Sequence, residues 1–480
     1  MRNLTVILIL SLSYVSVGQI SFYKTYTGSA FDEGQGIVQT PDSSYAITGS
    51  SAAFSDNSGQ AYLMLVDSLG NHKWTKSYGG NGSDWGRRVF HKPGTGFVIA
   101  GYTNSTVDGS FNFYLVETDE SGDLISEKNF GTTNWDRLWD AVMLDDEGLL
   151  LVGETEGENS LLKDMYIVRT DDQGDTVWTK TISTPYDDVA YAITRINDTT
   201  VAIGGDSWQN EEPRSTILNM HINGDINWQV YYGDTVETGI RDIQYFNNNL
   251  FIGGYILPIG KDEWDVWAMK TDMAGTFLMD MTADWEDTDY FSSLVIKNSN
   301  SLYFGVNSNS PDLNVFPEGP DAFVSRFDSD FYFQSFSENF SGVNPDKIHH
   351  MINTSDDGIA FVGTCGDDRV NPSLGSDIMI VKIGPNDEVE TSADENNDLV
   401  SLSVFNKEES FRVYPNPAAT ELIVPEKLFG EEYSIYNSLG KVVQNGELGV
   451  SIDVSDFNPG MYHIKVLVNN NYSTVRFIKK

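Results

Sequence analysis

The sequence predicts an all-β protein, a seven-bladed β-propeller followed by a smaller β domain. Three observations predict it. An apolar pair followed by glycine recurs seven times, a second marker keeps phase with the first, and helical periodicity is absent throughout.

The first marker reads Ala46-Ile47-Thr48-Gly49, Val98-Ile99-Ala100-Gly101, Leu151-Val152-Gly153, Ala202-Ile203-Gly204, Phe251-Ile252-Gly253, Tyr303-Phe304-Gly305 and Phe361-Val362-Gly363. Its glycines are spaced 52, 52, 51, 49, 52 and 58 residues apart. The second marker is an alternating segment ending in Asp, a Gly three residues on and often a Trp four further. Tyr62 to Asp67 with Gly70 and Trp74 shows it in full, as do Tyr166 to Asp171 with Gly174 and Trp178. Each unit of about 50 residues has room for four short strands joined by Asp- and Gly-rich turns such as Asp145-Asp146-Glu147-Gly148. A parallel β-helix needs shorter coils, and a row of sandwiches needs longer units.

The propeller is expected over residues 19–384. Ile20 to Gly28 resembles the outer strand of a unit, and the seventh unit decays after Ile383. The N-terminal strand is therefore expected to complete the last blade and leave no open edge.

Acidic residues outnumber basic ones, 70 to 30, for a formal net charge of −40. Such a surface repels phosphate backbones and anionic lipid, which argues against nucleic acid as a partner. The single cysteine, Cys365, forms no internal disulfide and no thiolate zinc site alone. Arg2 followed by the apolar stretch Leu4 to Val17 reads as a signal peptide over residues 1–18. Small residues at Ser16 and Gly18 place cleavage between Gly18 and Gln19. The apolar stretch is too short for a membrane anchor, so the mature chain is expected to have none, and to be a monomer.

Residues 385–410 are acidic and polar and read as a linker. The domain at 411–480 opens with Tyr414-Pro415-Asn416-Pro417. It continues with a Tyr-x-x-x-Gly-Lys turn ending at Gly440-Lys441, a Pro-Gly-x-Tyr strand containing Gly460 and Tyr462, and a basic end. In this order the motifs closely resemble the type A sorting domain of Bacteroidetes type IX secretion substrates. The resemblance implies an immunoglobulin-like β-sandwich that routes its cargo through the periplasm and the type IX secretion machinery to the outer surface or the medium. It also implies proteolytic removal of the tail within the linker, often with attachment of the cargo to surface lipopolysaccharide.

No catalytic constellation stands out. The six histidines are scattered, and zinc, phosphate-loop, Gly-x-Ser-x-Gly and EF-hand spacings are absent. One ring remains: Asp32, Asp84, Asp136, Asp187, Glu237, Asp289 and Asp346 lie sixteen or seventeen residues before the marker glycines. In a propeller they begin the innermost strands, around one mouth of the central channel. There they either form a hydrated ring able to hold calcium or accept backbone N–H bonds in the turns between blades. Trp85, Trp135 and Trp139 near this ring either stack on sugars or wedge between blades. The expected role is a non-enzymatic binding module for a glycan or protein ligand, with no catalytic residues, resident metal or required cofactor. A polysaccharide hydrolase with a carboxylate pair at the mouth is the alternative.

Overall fold

The computed structural model describes residues 21–27, 31–54, 59–107, 109–132, 134–156, 162–209, 212–233, 236–283, 287–309, 320–340, 345–366, 375–390, 394–398, 418–425, 428–437, 441–468 and 471–480. Through residue 398 it holds six four-stranded sheets and one of five strands, and within each the strands lie mostly in chain order. The innermost strands are Asp32–Gln39, Asp84–Lys92, Asp136–Met143, Asp188–Asn197, Glu237–Phe246, Asp289–Asn298 and Lys347–Asn353. Each touches the next around the ring, and the first touches the last. This is a closed seven-bladed propeller. Among the described residues no helix is long and apolar enough to cross a membrane.

Closure uses the N-terminal strand, Phe22–Thr27, which pairs antiparallel with Ser376–Ile383 from Phe22 opposite Lys382 to Tyr26 opposite Ile378. Tyr26 is fully buried, and its hydroxyl donates to the Gly70 carbonyl of the first blade. The expected linker departs from the sequence reading at two places. Residues 394–398 add a fifth strand, parallel to Phe22–Thr27, because that strand's outer edge still offers unpaired backbone groups. The stretch after residue 384 is docked as well: Tyr303 Oη donates to Asp387 Oδ1 at 2.7 Å, Arg326 pairs with Asp387, and Val389 packs on the last core cluster.

The two sequence markers have distinct jobs. At the first, the second strand of the blade lies against the innermost one: a Cβ on Gly49 would stand 1.7 Å from the Glu33 carbonyl oxygen. At the second, Asp67 Oδ1 accepts the N–H groups of Leu69 (2.9 Å) and Asn71 (2.8 Å), and Gly70 turns the chain at φ +74°. Asp119, Asp171, Asp272 and Asp328 repeat that turn. The Trp of one blade covers the turn glycine of the next, Trp74 over Gly122 and Trp228 over Gly275.

Several of the ring acids are buried anchors rather than solvated groups at the mouth. Asp32, Asp84, Asp136, Asp289 and Asp346 are at most 1% exposed. Asp84 accepts from the Thr103 hydroxyl and from Gly80 N, and Asp136 from Thr132 N at 2.6 Å. Asp84 and Asp136 thus clamp the turns that enter their blades, while Asp32 accepts from the Ser51 hydroxyl on the neighbouring strand. Asp187 and Glu237 are only half-buried; the anchor positions belong to their neighbours Asp188 and Thr238. Asp188 accepts from Ser207 Oγ and Thr184 N, whereas Thr238 Oγ1 donates to the Tyr232 carbonyl. The slip has a cause. In these blades the marker is a Gly-Gly pair, and the glycine pressed on the innermost strand is the second one, Gly205 or Gly254.

The C-terminal domain has a four-stranded sheet ordered Val442–Glu447, Glu432–Asn437, Gly460–Val468, Asn471–Lys479 and a two-stranded one, Glu421–Ile423 with Ser451–Asp453. Leu422, Ile435, Ile452, Ile464 and Phe477 form its shared core, the arrangement of a small sandwich.

Two outcomes are expected. Tyr26→Ala should destabilise the chain in urea by about 3–5 kcal/mol, and Tyr26→Phe by only about 1–2. A Tyr26→Ala midpoint equal to wild type would mean that the N-terminal strand does not close the ring. Burial raises the Asp136 carboxyl from 3.8 to about 6, against the hydrogen bonds from Thr155 and Thr132. Between those values the folded state alone holds the proton, so stability falls as pH rises through about 4 to 6. Across that window the stability of wild type relative to Asp136→Asn should drop by about 2–3 kcal/mol, read from denaturation midpoints. A flat difference would contradict a buried charge.

Candidate ligand site at the propeller channel

Every innermost strand is bulged at one place. Its pairing with the second strand skips one residue: Gln35, Arg87, Trp139, Tyr191, Arg241, Ser292 and His349 in blades one to seven. Each lies three residues after the anchor position, one step inside the end of the channel where these strands begin. An unpaired bulge residue re-aims its side chain, and here neighbouring bulges meet. Arg87 Nη1 donates to Gln35 Oε1 at 2.7 Å. The Arg87 guanidinium lies 4.4 Å from the Trp139 ring, Trp139 is 5.3 Å from Tyr191, and Arg241 is 4.0 Å from Tyr191. Five blades are joined through side chains alone.

An aromatic seam runs outward from this ring across blades two and three. Trp85 stacks on Tyr102 at 6.0 Å, Tyr102 meets Phe111 edge-on at 5.5 Å, and Phe111 meets Trp135 at 5.2 Å. Arg137 lies over both Phe111 (5.2 Å) and Trp135 (4.9 Å). Buried Glu154 holds the seam's polar side: it accepts from Trp139 Nε1 and pairs with Lys163 (3.1 Å) and Arg137 (3.8 Å). Trp135 is 43% exposed, so one aromatic face remains open to water. Across the channel Tyr255 packs on Trp264, 39% exposed, and on Arg241, which pairs with Asp206 at 3.1 Å.

The electrostatics at the ring run against the charge of the whole chain. Burial, then Arg87, Lys347 and Arg88, hold His349 down to about 3, so it is neutral in any ordinary medium, with Nε2 3.0 Å from Thr364 Oγ1. Burial also works against the charge on Arg87 itself. Among the described residues no three His, Cys, Asp or Glu side chains form a group able to hold a metal ion.

The seven acids singled out from the sequence thus do not converge as a set. Five of them are the anchors beneath this site, while Asp187 and Glu237 lie beside the corresponding anchors. Of the three tryptophans, Trp139 belongs to the ring and Trp85 and Trp135 to the seam. Apart from Trp139 the bulge residues escaped sequence reading although a signal exists, the position three after the anchor; its residue differs in nearly every blade and so shows no repeat. In the tail, Lys441 N donates to Asn437 Oδ1 to close a turn, and Gly460 begins the strand that holds Tyr462. Tyr462 stacks on Phe477 at 5.5 Å and donates to the Asn458 carbonyl. Tyr414, Pro415, Asn416, Pro417 and Gly440 lie outside the described residues, as do Gly18 and Gln19.

Compared with curated protein sequences, the chain matches none. Among solved structures it is similar to PorZ, a surface component of the type IX secretion system of Porphyromonas gingivalis, at 10% identity and a TM-score of 0.43. That match covers 92% of this chain, which spans only 59% of PorZ. It is also similar to a family 25 polysaccharide lyase, an ulvan lyase, at 10% identity and a TM-score of 0.49, over 77% of this chain and 96% of that one. A third likeness, to Sqt1 of Chaetomium thermophilum, has 12% identity and a TM-score of 0.41, over 76% and 98%. Residues 412–480 match the family model of a secretion system C-terminal sorting domain. The chain therefore ends in a domain of that family, handled by the type IX secretion machinery, and is a protein exported to the cell surface or the medium.

Proposed function

We infer that this exported chain is a non-enzymatic binding protein whose propeller takes a glycan at the channel mouth of blades two and three. The half-exposed ring of Trp135, backed by Phe111 and Arg137, carries the reading. An indole that the fold leaves open to water loses little on being covered by the apolar face of a sugar. Arg137 beside it supplies donors that orient polar groups, the usual composition of a small-molecule site. The nearby carboxylates support binding over hydrolysis. Glu154 and Asp206 each face a cation, and Asp84, Asp136 and Asp188 are engaged in turn bonds, so among these described carboxylates no pair is set out for acid–base work.

The test is a thermal-melt panel of the mature chain with neutral and acidic polysaccharides. A glycan at a hundred times its dissociation constant should add about 2.7 kcal/mol of stability. Trp135→Ala should weaken that glycan tenfold or more while leaving the unliganded melt within a few degrees. No shift with any glycan would leave a protein ligand in its place; a shift indifferent to Trp135→Ala would move the site elsewhere. Export is tested separately. Deleting residues 412–480 should hold the propeller inside the outer membrane of a host with a type IX system, where fractionation would find it. Unchanged surface display would mean that the tail is not the address.

A further inference from the structure

Arg87 differs from most of the described arginines of the propeller. Arg88, Arg137, Arg169, Arg195, Arg241 and Arg326 each pair with an Asp or Glu. In a chain with 70 acids and 30 bases a carboxylate partner is easily supplied. Yet among the described residues none lies within ion-pair distance of Arg87. Glu33 and Glu154 act on it only at longer range, and Gln35, which accepts from it, is turned by its own amide toward Glu33. Its Nε is buried with no hydrogen-bond partner. On one side its guanidinium lies against the ring of Trp139. Two further cations, Lys347 and Arg88, join it in acting on neutral His349 across the same channel, and among the described residues only Arg88 of these has a carboxylate on it. A desolvated guanidinium with an aromatic floor and no counter-ion is a poor structural element. It is a good receptor for a planar or tetrahedral anion, which its fork of donors matches in geometry.

We propose that Arg87, with Trp139 and Gln35, seats the anionic group of an acidic glycan, a uronate carboxylate or a sulfate ester, inside the channel. This deepens the glycan reading of the mouth and rests on it. Trp135 and Arg137 hold a neutral sugar face outside, and the next residue inward places its anion on Arg87. The negative field of the whole protein does not forbid this, because charges beyond about 8 Å are screened at physiological ionic strength while contacts in the channel are not.

The experiment is calorimetric titration of the mature chain with oligouronates, sulfated oligosaccharides and neutral oligosaccharides of equal length. Wild type, Arg87→Gln, Arg87→Lys and Trp135→Ala are compared, each first checked for an unchanged melt. At least one acidic series should bind wild type tenfold or more tighter than the neutral one. Arg87→Gln should erase that preference, a loss of 10- to 100-fold on the acidic ligand with neutral affinity unchanged, and Arg87→Lys should keep part of it. Trp135→Ala should weaken both series together. Equal binding of acidic and neutral ligands, or an Arg87→Gln loss shared by both, would overturn the anion seat and leave the glycan site standing. If no oligosaccharide binds, the glycan reading fails, and inorganic sulfate then tests the seat alone by NMR. Sulfate should ease protonation of His349 in wild type and not in Arg87→Gln; no difference between them would overturn the seat.

Discussion

The bulge in each innermost strand is the constraint on which the ring depends. Seven twisted sheets meet around one axis, and straight strands there would leave backbone donors facing neighbours unable to accept them. At four of the seven junctions the backbone N–H two positions after the bulge residue points toward the preceding blade, and a side chain accepts it. Asp140 accepts from Ile193 N at 2.9 Å, Asp242 from Leu294 N at 2.6 Å, Ser293 from Met351 N at 3.1 Å and His350 from Ile37 N at 3.3 Å. The last of these crosses from blade seven to blade one, so the same latch that spaces the blades also shuts the circle. At these four junctions the acceptor differs in chemistry but not in place, since it directly follows the bulge; Gly36, Arg88 and Ala192 hold that place in blades one, two and four.

The other contacts fall into step with that latch. Anchor aspartates fix where each innermost strand begins, and the glycine contact on the neighbouring strand fixes its depth. At the periphery the Trp and Tyr of one outer strand lock the hairpin turn of the next blade, as Tyr78 does in donating to Gly122 O at 2.7 Å. Much of the acidic excess has a local explanation in this scheme. Aspartate is the side chain that accepts two backbone N–H groups in a tight turn, and the repeat calls for it at the outer hairpin and at the inner anchor of most blades. The net charge is partly a by-product of building many such turns without disulfides.

What the sequence disclosed follows from the same physics. Gly49, Asp67 and Trp74 recur because each blade poses one packing problem many times, so strand order, blade number and ring closure by residues 22–27 were readable. The failures have equally local causes. A Gly-Gly pair hides which glycine makes the close approach, which put Asp187 and Glu237 in place of Asp188 and Thr238. The pairing of residues 394–398 depends on a strand edge left open more than 360 residues earlier, and nothing in Asp394-Glu395-Asn396-Asn397-Asp398 announces a strand. Burial of the anchor acids was also invisible, because a carboxylate that holds a turn and one that holds an ion are spelled alike. A hydroxyl stands nineteen residues after most anchors, at Ser51, Thr103, Thr155 and Ser207. That spacing distinguishes the two uses, since a hydroxyl placed opposite in most copies belongs to the fold.

The contrast between the anchors and the bulges bears most directly on function. At the anchor, six blades of seven keep a carboxylate and the seventh keeps a hydroxyl, Thr238. Three residues later the fold requires only an extra residue, and it leaves the side chain free. Gln35, Arg87, Trp139, Tyr191, Arg241, Ser292 and His349 differ in size, charge and aromaticity while sharing one backbone geometry. Seven equivalent positions without a common residue are what results when packing has ceased to choose and another pressure has taken over. A ligand lying across a ring contacts its sides unequally, and the unequal chemistry here is concentrated from blade one to blade five, where the bulge residues touch one after another and the seam of Trp85, Trp135 and Arg137 leads in from outside. The symmetric positions hold the propeller together, and the asymmetric ones, placed by the same bulge, mark the surface it presents.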